Sequence, residues 1–511
     1  MKKLMDIYES CKTPIRVAYF AFVLIAFGFL IQNPNVNIFY TFRSNIVLFI
    51  AELALRIGEF TIMNLPIIFM LNFVCKKAHN ASPVVMSLIG YFTFLVTTML
   101  LSPQNLGSQA YMSNSGINSI FNVSAGNRSP LETGMIGSFL VAYATRVSFI
   151  QSRHRSNYSL TNLFSRDMAG IVYNFIFCFL LGVLVSYTYP MLYSYIQKAI
   201  GFIAADLSDP MRIGLYSVLD RVLSILGLGN IIRYPFWFTA TGGSFSNTIT
   251  GQSILGDVNI FSYVKDANTN YVGAGRFITP YYLINMFMIP GIYLGTFFSI
   301  SDKKDRSYLW IMFVVAILLS IAAGNPLPIE LLMLLTSPSL LVCYLLLIGV
   351  CSGFMVDRGI YLGFSGNVTN TLTAMPGSFA DYIINIRNAN LSYSLRSIAL
   401  IGAVSFLICL FMTMLYYRLF AFDFVKTGKG EEFVKAIIDS VGGIENIREA
   451  GAGLFKLNVY LHEPERISIE KIQDTGVHRV SETRDGLSFE IGTSSYAIAR
   501  KINKQLKKKR S

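Results

Sequence analysis

The sequence predicts a polytopic α-helical membrane protein of about ten transmembrane helices, with a small C-terminal α+β cytoplasmic domain. Three observations predict it. The 511 residues are 53% hydrophobic and only 14% charged, with a mean hydropathy of +0.51, which excludes an ordinary soluble enzyme. Ten apolar stretches approach or exceed the ~20 residues that a spanning helix needs. Past residue 422 the composition changes abruptly, through a short charged, glycine-containing linker at 423–430.

The apolar stretches fall in order. Residues 17–31 follow Lys2, Lys3, Lys12 and Arg16 and precede no small-residue cleavage site, so a retained span is expected and not a signal peptide. Residues 45–74 carry Glu52, Arg56 and Glu59; the last two are three apart and placed to pair on one helix face. Stretches 84–102 and 134–150 come next, then the long uninterrupted 170–197. Stretch 213–238 is broken by Asp220, Arg221 and Arg233. Stretches 280–300, 308–323, 333–355 and 396–420 complete the set. Polar inserts at 103–130, 239–275 and 356–395 are expected to fold back toward a transport cavity. Irregular backbone survives at membrane depth only where protein or water satisfies it.

The net charge of +13 sits at the edges of the apolar stretches. Lys76-Lys77, Arg153-His154-Arg155, Lys303-Lys304 and Lys507-Lys508-Lys509-Arg510 read as cytoplasmic borders of an inner-membrane protein with both termini inside. The last run is placed to touch anionic lipid headgroups, and nucleic acid is not an expected partner. Cys11, Cys75, Cys178, Cys343, Cys351 and Cys409 read as small apolar residues. With His79, His154, His462 and His478 scattered, no metal site and no cofactor are expected.

Three units are expected: the membrane unit at 1–422, the linker, and a domain at 431–511. In the last, 431–447 has helical periodicity through Phe433, Ile437, Ile438 and Val441. Strands are expected at 454–461 and 486–491, a short helix at 468–474 and a closing helix at 494–508.

Several segments, in order, resemble enzyme IIC of the glucose/N-acetylglucosamine/maltose superfamily of bacterial phosphotransferase systems. Asn64-Leu65-Pro66-Ile67-Ile68-Phe69, followed by Lys76-Lys77-Ala78-His79-Asn80, resembles an Asn-Leu-Pro-x-x-Phe helix and its Lys-rich turn. Glu132-Thr133-Gly134-Met135-Ile136-Gly137 resembles an Asp-Thr-Gly-x-x-Gly span start. Gly275-Arg276-Phe277, Met286-Phe287 and Pro290 resemble the approach to a Met-Met-Phe-Gly-Leu-Pro helix. Pro326-Leu327-Pro328-Ile329-Glu330 resembles Thr-Glu-Pro-Ile-Glu. Val441-Gly442-Gly443-Ile444-Glu445-Asn446-Ile447 resembles the entry of the enzyme IIB domain. The resemblance implies a sugar permease joined to a phosphoryl-carrier domain, usually dimeric.

The departures concern the family's chemistry. Where IIB places a phospho-acceptor Cys and then Thr-Arg-Leu-Arg, this chain has Gly453-Leu454-Phe455-Lys456-Leu457-Asn458. A Gly-Leu-His-His run before Phe-Trp-Phe becomes Gly227-Leu228-Gly229-Asn230 before Phe236-Trp237-Phe238. Leu327 replaces the first Glu of Thr-Glu-Pro-Ile-Glu. Phosphoryl transfer needs a thiolate, positive charge and a base. Gly453 supplies no nucleophile, Lys456 keeps one charge, and the membrane motifs leave no evident base.

Candidate solute-binding residues are Glu330, Asn230, Arg276, Arg233 and Asn64. A carboxylate inside an apolar run is costly unless it is paired or faces a cavity, and Arg233 and Arg276 are natural partners for Glu330. Asn230 reads as a ligand or a helix cap, and Arg233 as an ion-pair partner or a snorkelling side chain. Asn64 before Pro66 reads as a kink or a packing residue. Trp237 and Phe238 read as a stacking surface or as interfacial anchors.

Two functions remain open. One is a permease for a sugar or related small solute that has lost its own phosphotransfer. The other is a non-transporting sensor or scaffold whose IIB-like domain binds a cytoplasmic protein.

Overall fold

The computed structural model describes residues 2–32, 44–75, 82–103, 105–112, 128–153, 166–246, 251, 253–266, 273–324, 326–364, 376–386, 388–419, 431–453, 455–463, 477, 480–483, 485–492 and 494–510. The Lys76-Lys77 turn, His154-Arg155, the 423–430 linker and the short helix expected at 468–474 lie outside them.

Every apolar stretch falls on helix. In order these are α1 (Lys2–Gln32), α2 (Asn45–Met63), α3 (Leu65–Cys75), α4 (Ser82–Leu101), α5 (Gly134–Arg153) and α6 (Arg166–Ala204). Then follow α7 (Pro210–Ile225), α8 (Asn230–Phe238), a two-stranded β1–β2 hairpin (Ser244–Ser246, Ser253–Leu255) and α9 (Asp257–Asp266). The rest of the membrane unit is α10 (Thr279–Leu283), α11 (Ile289–Ser299), α12 (Lys303–Ala323), α13 (Leu327–Thr336), α14 (Pro338–Asp357), α15 (Phe379–Ile386) and α16 (Ser392–Leu419). Among the described residues, five helical segments are long and apolar enough to cross a membrane: α4, most of α6, the Thr279–Ser299 run, α14 and α16. Four shorter apolar segments accompany them, at Thr13–Gly28, Leu65–Cys75, Leu309–Ala322 and Leu327–Thr336.

Several predicted spans are broken, and each break has a local cause. Stretch 45–74 splits at Asn64, where Pro66 lacks the N–H to continue the helical ladder and the Asn64 amide donates to Phe60 O at 2.8 Å. Stretch 213–238 splits after α7 at Gly227, which adopts φ 77°, a conformation that an L side chain resists. Gly324, at φ 60°, ends α12 in the left-handed region and Pro328 opens α13. Between α10 and α11, Ile284–Met288 form a π-helical turn.

The main core gathers around α7, α8, α10, α11, α14 and α16, with Tyr216, Phe236, Trp237, Phe277, Tyr282 and Tyr344 enclosed. Large apolar side chains such as Leu184, Tyr187, Leu400 and Phe411 face outward, as a lipid-facing surface requires.

The C-terminal residues build their own core. Helix α17 (Glu431–Ser440) ends earlier than its periodicity predicts, because Gly442 and Gly443 both take positive φ. The sheet has order β3-β4-β6-β5 and is antiparallel throughout: β3 (Ile447–Ala452), β4 (Lys456–Leu461), β5 (Val480–Thr483) and β6 (Gly486–Glu490). Helix α18 (Ser494–Arg510) lies against β3 and β4. Phe433, Ile437, Val441, Leu457, Val459, Leu487, Phe489 and Ile502 fill the space between helices and sheet. Strands β3 and β5 were not expected from the sequence.

Candidate functional site

Helix breaks far apart in sequence converge on one cavity of about 130 Å³. One water needs roughly 10–15 Å³ by the same measure, so the space suits a polar solute of sugar size. Its wall is made by the Asn64 break, the start of α5 with Glu132 and Gly134, the α7–α8 junction with Gly227 and Gly229, and the Gly324–Leu327 junction. Tyr91, Arg221, Ser224, Arg233 and Tyr281 add polar groups to an otherwise apolar lining.

Two of these lining residues, Arg221 and Arg233, belong to a closed set of four charges that extends behind the wall. Arg233 donates from Nε to Asp220 Oδ1 at 2.6 Å and from Nη2 to Ser224 Oγ at 2.6 Å. Tyr281 donates to Asp220 Oδ2 at 2.5 Å. Arg221 spans the two carboxylates, with Nε 3.3 Å from Asp220 Oδ2 and Nη1 3.6 Å from Glu330 Oε1. Neither approach has hydrogen-bond geometry. Tyr344 donates to Glu330 Oε1 at 3.0 Å, and Glu330 Oε2 has no hydrogen-bond partner among the described residues. Asp220, Arg221, Arg233 and Glu330 are all at least nine-tenths buried. Two cations matched by two anions let the charges survive burial, whereas removing one would strand another at a cost of ~3–5 kcal/mol.

The five candidate binding residues separate. Asn64 and Arg233 line the cavity. Asn64 Oδ1 is buried without a hydrogen-bond partner among the described residues. Glu330, in the first turn of α13, stands one layer back and reaches the wall only through Arg221. Asn230 opens α8 and is buried, but the wall at this junction is Gly229. Arg276 is elsewhere: it donates from Nε to Gly273 O at 2.8 Å and from Nη1 to Leu207 O, clamping two loops together. The expectation that Arg276 pairs with Glu330 is therefore corrected; the partner is Arg221.

Other expectations sort in the same way. Trp237 is neither a stacking surface nor an interfacial anchor: its indole donates to Tyr216 OH at 3.0 Å inside the aromatic core. Arg56 does pair with Glu59, at 3.0 Å, and also with Glu52, at 2.7 Å. Leu327 and Gly229, where the resemblance expects a carboxylate and a histidine, both line this cavity although 98 positions (327 − 229) separate them.

Sequence reasoning missed Arg221, Asp220, Ser224, Tyr281 and Glu132 as site residues. The first two were legible as charges interrupting an apolar stretch, which is itself a signal. Glu132 also corrects the expectation that the site lacks any base: it brings a carboxylate to the wall, with Oε1 accepting from Gly134 N at 3.2 Å.

Gly453 lies just after β3, where its N–H donates to Lys456 O at 2.8 Å. A side chain built at 453 would run into the Asp305 carboxylate at the start of α12.

No protein-family model matches the chain. Among solved structures, the chain is similar to the transporter ChbC, the IIC component of an N,N'-diacetylchitobiose-specific phosphotransferase system. The match has 14% identity and a TM-score of 0.30, and covers 81% of this chain and 93% of that one. At that score the likeness adds no weight to the functional reading.

Proposed function

We propose that this chain is a permease of the phosphotransferase IIC kind for a sugar-sized polar solute, and that it no longer phosphorylates its cargo. In this reading about ten spans cross a bacterial inner membrane, both termini are cytoplasmic, and the protein is a homodimer surrounded by lipid. The basic Lys303-Lys304 pair, beside the C-terminal domain, supports that orientation.

One observation carries the reading. The cavity gathers Asn64, Glu132, Arg221, Arg233 and Tyr281 at breaks in several helices, with an unsatisfied acceptor on Asn64. Broken helices meeting at polar groups are how a membrane protein offers backbone and side-chain partners to a solute at depth. Loss of phosphotransfer rests on Gly453, which has no nucleophile and faces Asp305. It rests too on Leu327 and Gly229, which add no ionisable group to the wall.

The test is uptake of labelled sugars and amino sugars by vesicles containing the purified protein, with and without a phosphoryl donor system. Donor-independent uptake of unmodified solute is expected. Uptake that requires the donor and delivers a phosphorylated product would refute the proposal. The second reading, a non-transporting scaffold, draws support from a folded C-terminal domain without a phospho-acceptor. Absence of uptake, with solute still bound, would favour it.

A further inference from the structure

A second polar assembly joins the C-terminal domain to the membrane unit. The chain entering α12 is bonded to the end of β3: Ser301 N and Asp302 N both donate to Ala452 O, at 3.0 and 3.1 Å, and Ala452 N donates to Ser301 Oγ at 2.8 Å. Tyr460 donates to Asp302 Oδ2 at 2.7 Å and Asn458 to Asp305 Oδ2 at 3.0 Å. Asp302 also caps α12, accepting from Asp305 N at 2.9 Å, so the same carboxylate group starts the helix and receives the domain. Lys304 pairs with Asp485, and Tyr417 of α16 lies 4.9 Å from Tyr496 of α18, ring centre to ring centre.

Two glycines shape this contact. Gly451 and Gly453 are alternate residues and face the two carboxylates. A Cβ at 451 would lie 2.9 Å from Asp302 Cβ and 3.0 Å from its Cγ, and its three nearest atoms all belong to Asp302. A Cβ at 453 would meet Asp305 and push its carboxylate off Asn458. Glycine here lets the end of β3 lie close against the Asp302 and Asp305 side chains, an approach that any side chain at 451 or 453 would hold apart.

We propose that the C-terminal domain is a fixed anchor for α12 and not a mobile carrier, with its 451–453 face docked on residues 301–305 of the same chain. A phosphoryl carrier must present its acceptor loop first to a donor protein and then to the membrane site. Here that loop is covered, and the cover is bonded through backbone as well as side chains. Helix α12 then runs from this anchor to Gly324, which stands in the cavity wall. Anchoring one end of α12 therefore steadies the other. The inference stands on these bonds and needs no assumption about which solute is carried.

A carbodiimide couples an amine to a carboxylate when the two are in an ion pair. Applied to the full-length protein in micelles, it should yield a Lys304–Asp485 linked peptide, counted by mass spectrometry. Gly451→Ala should lower that yield about fivefold or more, because the added methyl strikes the capping residue of α12. Gly453→Ala should lower it less, and Asp305→Ala in the same chain should restore it. Ser301→Ala lies outside the C-terminal domain, so a yield lowered there as well excludes misfolding of that domain as the cause. Absence of the link in the unmodified protein overturns the proposal, as does an undiminished link in Gly451→Ala and Ser301→Ala. Amide exchange at Gly324 should rise in Gly451→Ala; unchanged exchange there, with the link lost, overturns the steadying of the cavity wall.

Discussion

The Arg221 guanidinium lies 3.6 Å from the Glu330 carboxylate, both enclosed by protein, and the two attract without a hydrogen bond. That spacing makes the pair an electrostatic brace that ties the cavity wall, through Arg221, to α13. Glu330→Gln leaves Arg221 compensated by Asp220 alone and should cost ~3–5 kcal/mol of stability, seen as a lower melting temperature. Replacing both, as Arg221→Met with Glu330→Leu, should cost less than the sum of the single changes by about 1 kcal/mol or more. Additive losses would show that the two do not communicate.

Asn64 lines the cavity and its Oδ1 has no hydrogen-bond partner among the described residues, whereas Glu330 is not part of the lining. Asn64→Leu should therefore weaken solute binding about tenfold, the loss of one to two hydrogen bonds. Glu330→Gln should weaken it by a smaller factor. Solute-induced thermal stabilisation of the purified variants gives both affinities. Equal effects would place Glu330 in the wall.

Gly453→Cys supplies the missing sulfur but introduces a side chain against Asp305. The variant should form no phosphocysteine when incubated with a complete phosphoryl donor chain, and no sugar phosphate. Adding Asp305→Ala frees the space and provides the control. Label on the single variant would show that the loop leaves its dock often enough to react.

The carboxyl of Asp305 is pushed above its ordinary 3.8 by burial, then by the negative charge of Asp302, while the Asn458 hydrogen bond and Lys456 pull it down. Tyr460, Lys304 and Asp485 face the same contact from the other elements. A raised value means that the docked protein holds this proton more tightly than the undocked one. Acid therefore favours docking between the raised value and 3.8, and the gain is lost as pH rises through the raised value. Asp305→Asn keeps the shape without the charge. It should melt higher than the unmodified protein at neutral pH and show a flatter pH dependence of melting from neutral to mildly acidic solution. A lower melting temperature at neutral pH would mean that the carboxylate charge is needed for docking.

Much of the membrane fold was legible because hydropathy and helix breakers act locally. Pro66 and Gly324 mark breaks that are visible without coordinates, whereas the stretch 213–238 was expected to run on through Gly227. Which break meets which is a long-range fact, so the convergence of Asn64, Gly229 and Leu327 on one cavity could not be read from spacing. The partner of Glu330 was misjudged for the same reason: Arg233 and Arg276 were equally available in sequence, but α7 brings Arg221 closer. Strand β3 was missed because Ile447-Arg448-Glu449-Ala450-Gly451-Ala452 lacks alternation, and its outer face is matched to residues about 150 positions away.

Helix α6 has 39 residues and thus runs for about 58 Å, nearly twice the ~30 Å of hydrocarbon. Even at the steep lean of ~40° that such helices reach, about a third of it has to stand in the headgroups or in water. Arg212, just after α6, grips Phe202 O at 2.8 Å and stiffens that junction. Part of α6 thus stands beyond the hydrocarbon and none of its described residues lines the cavity, which makes its ends a place to graft a label or a marker domain.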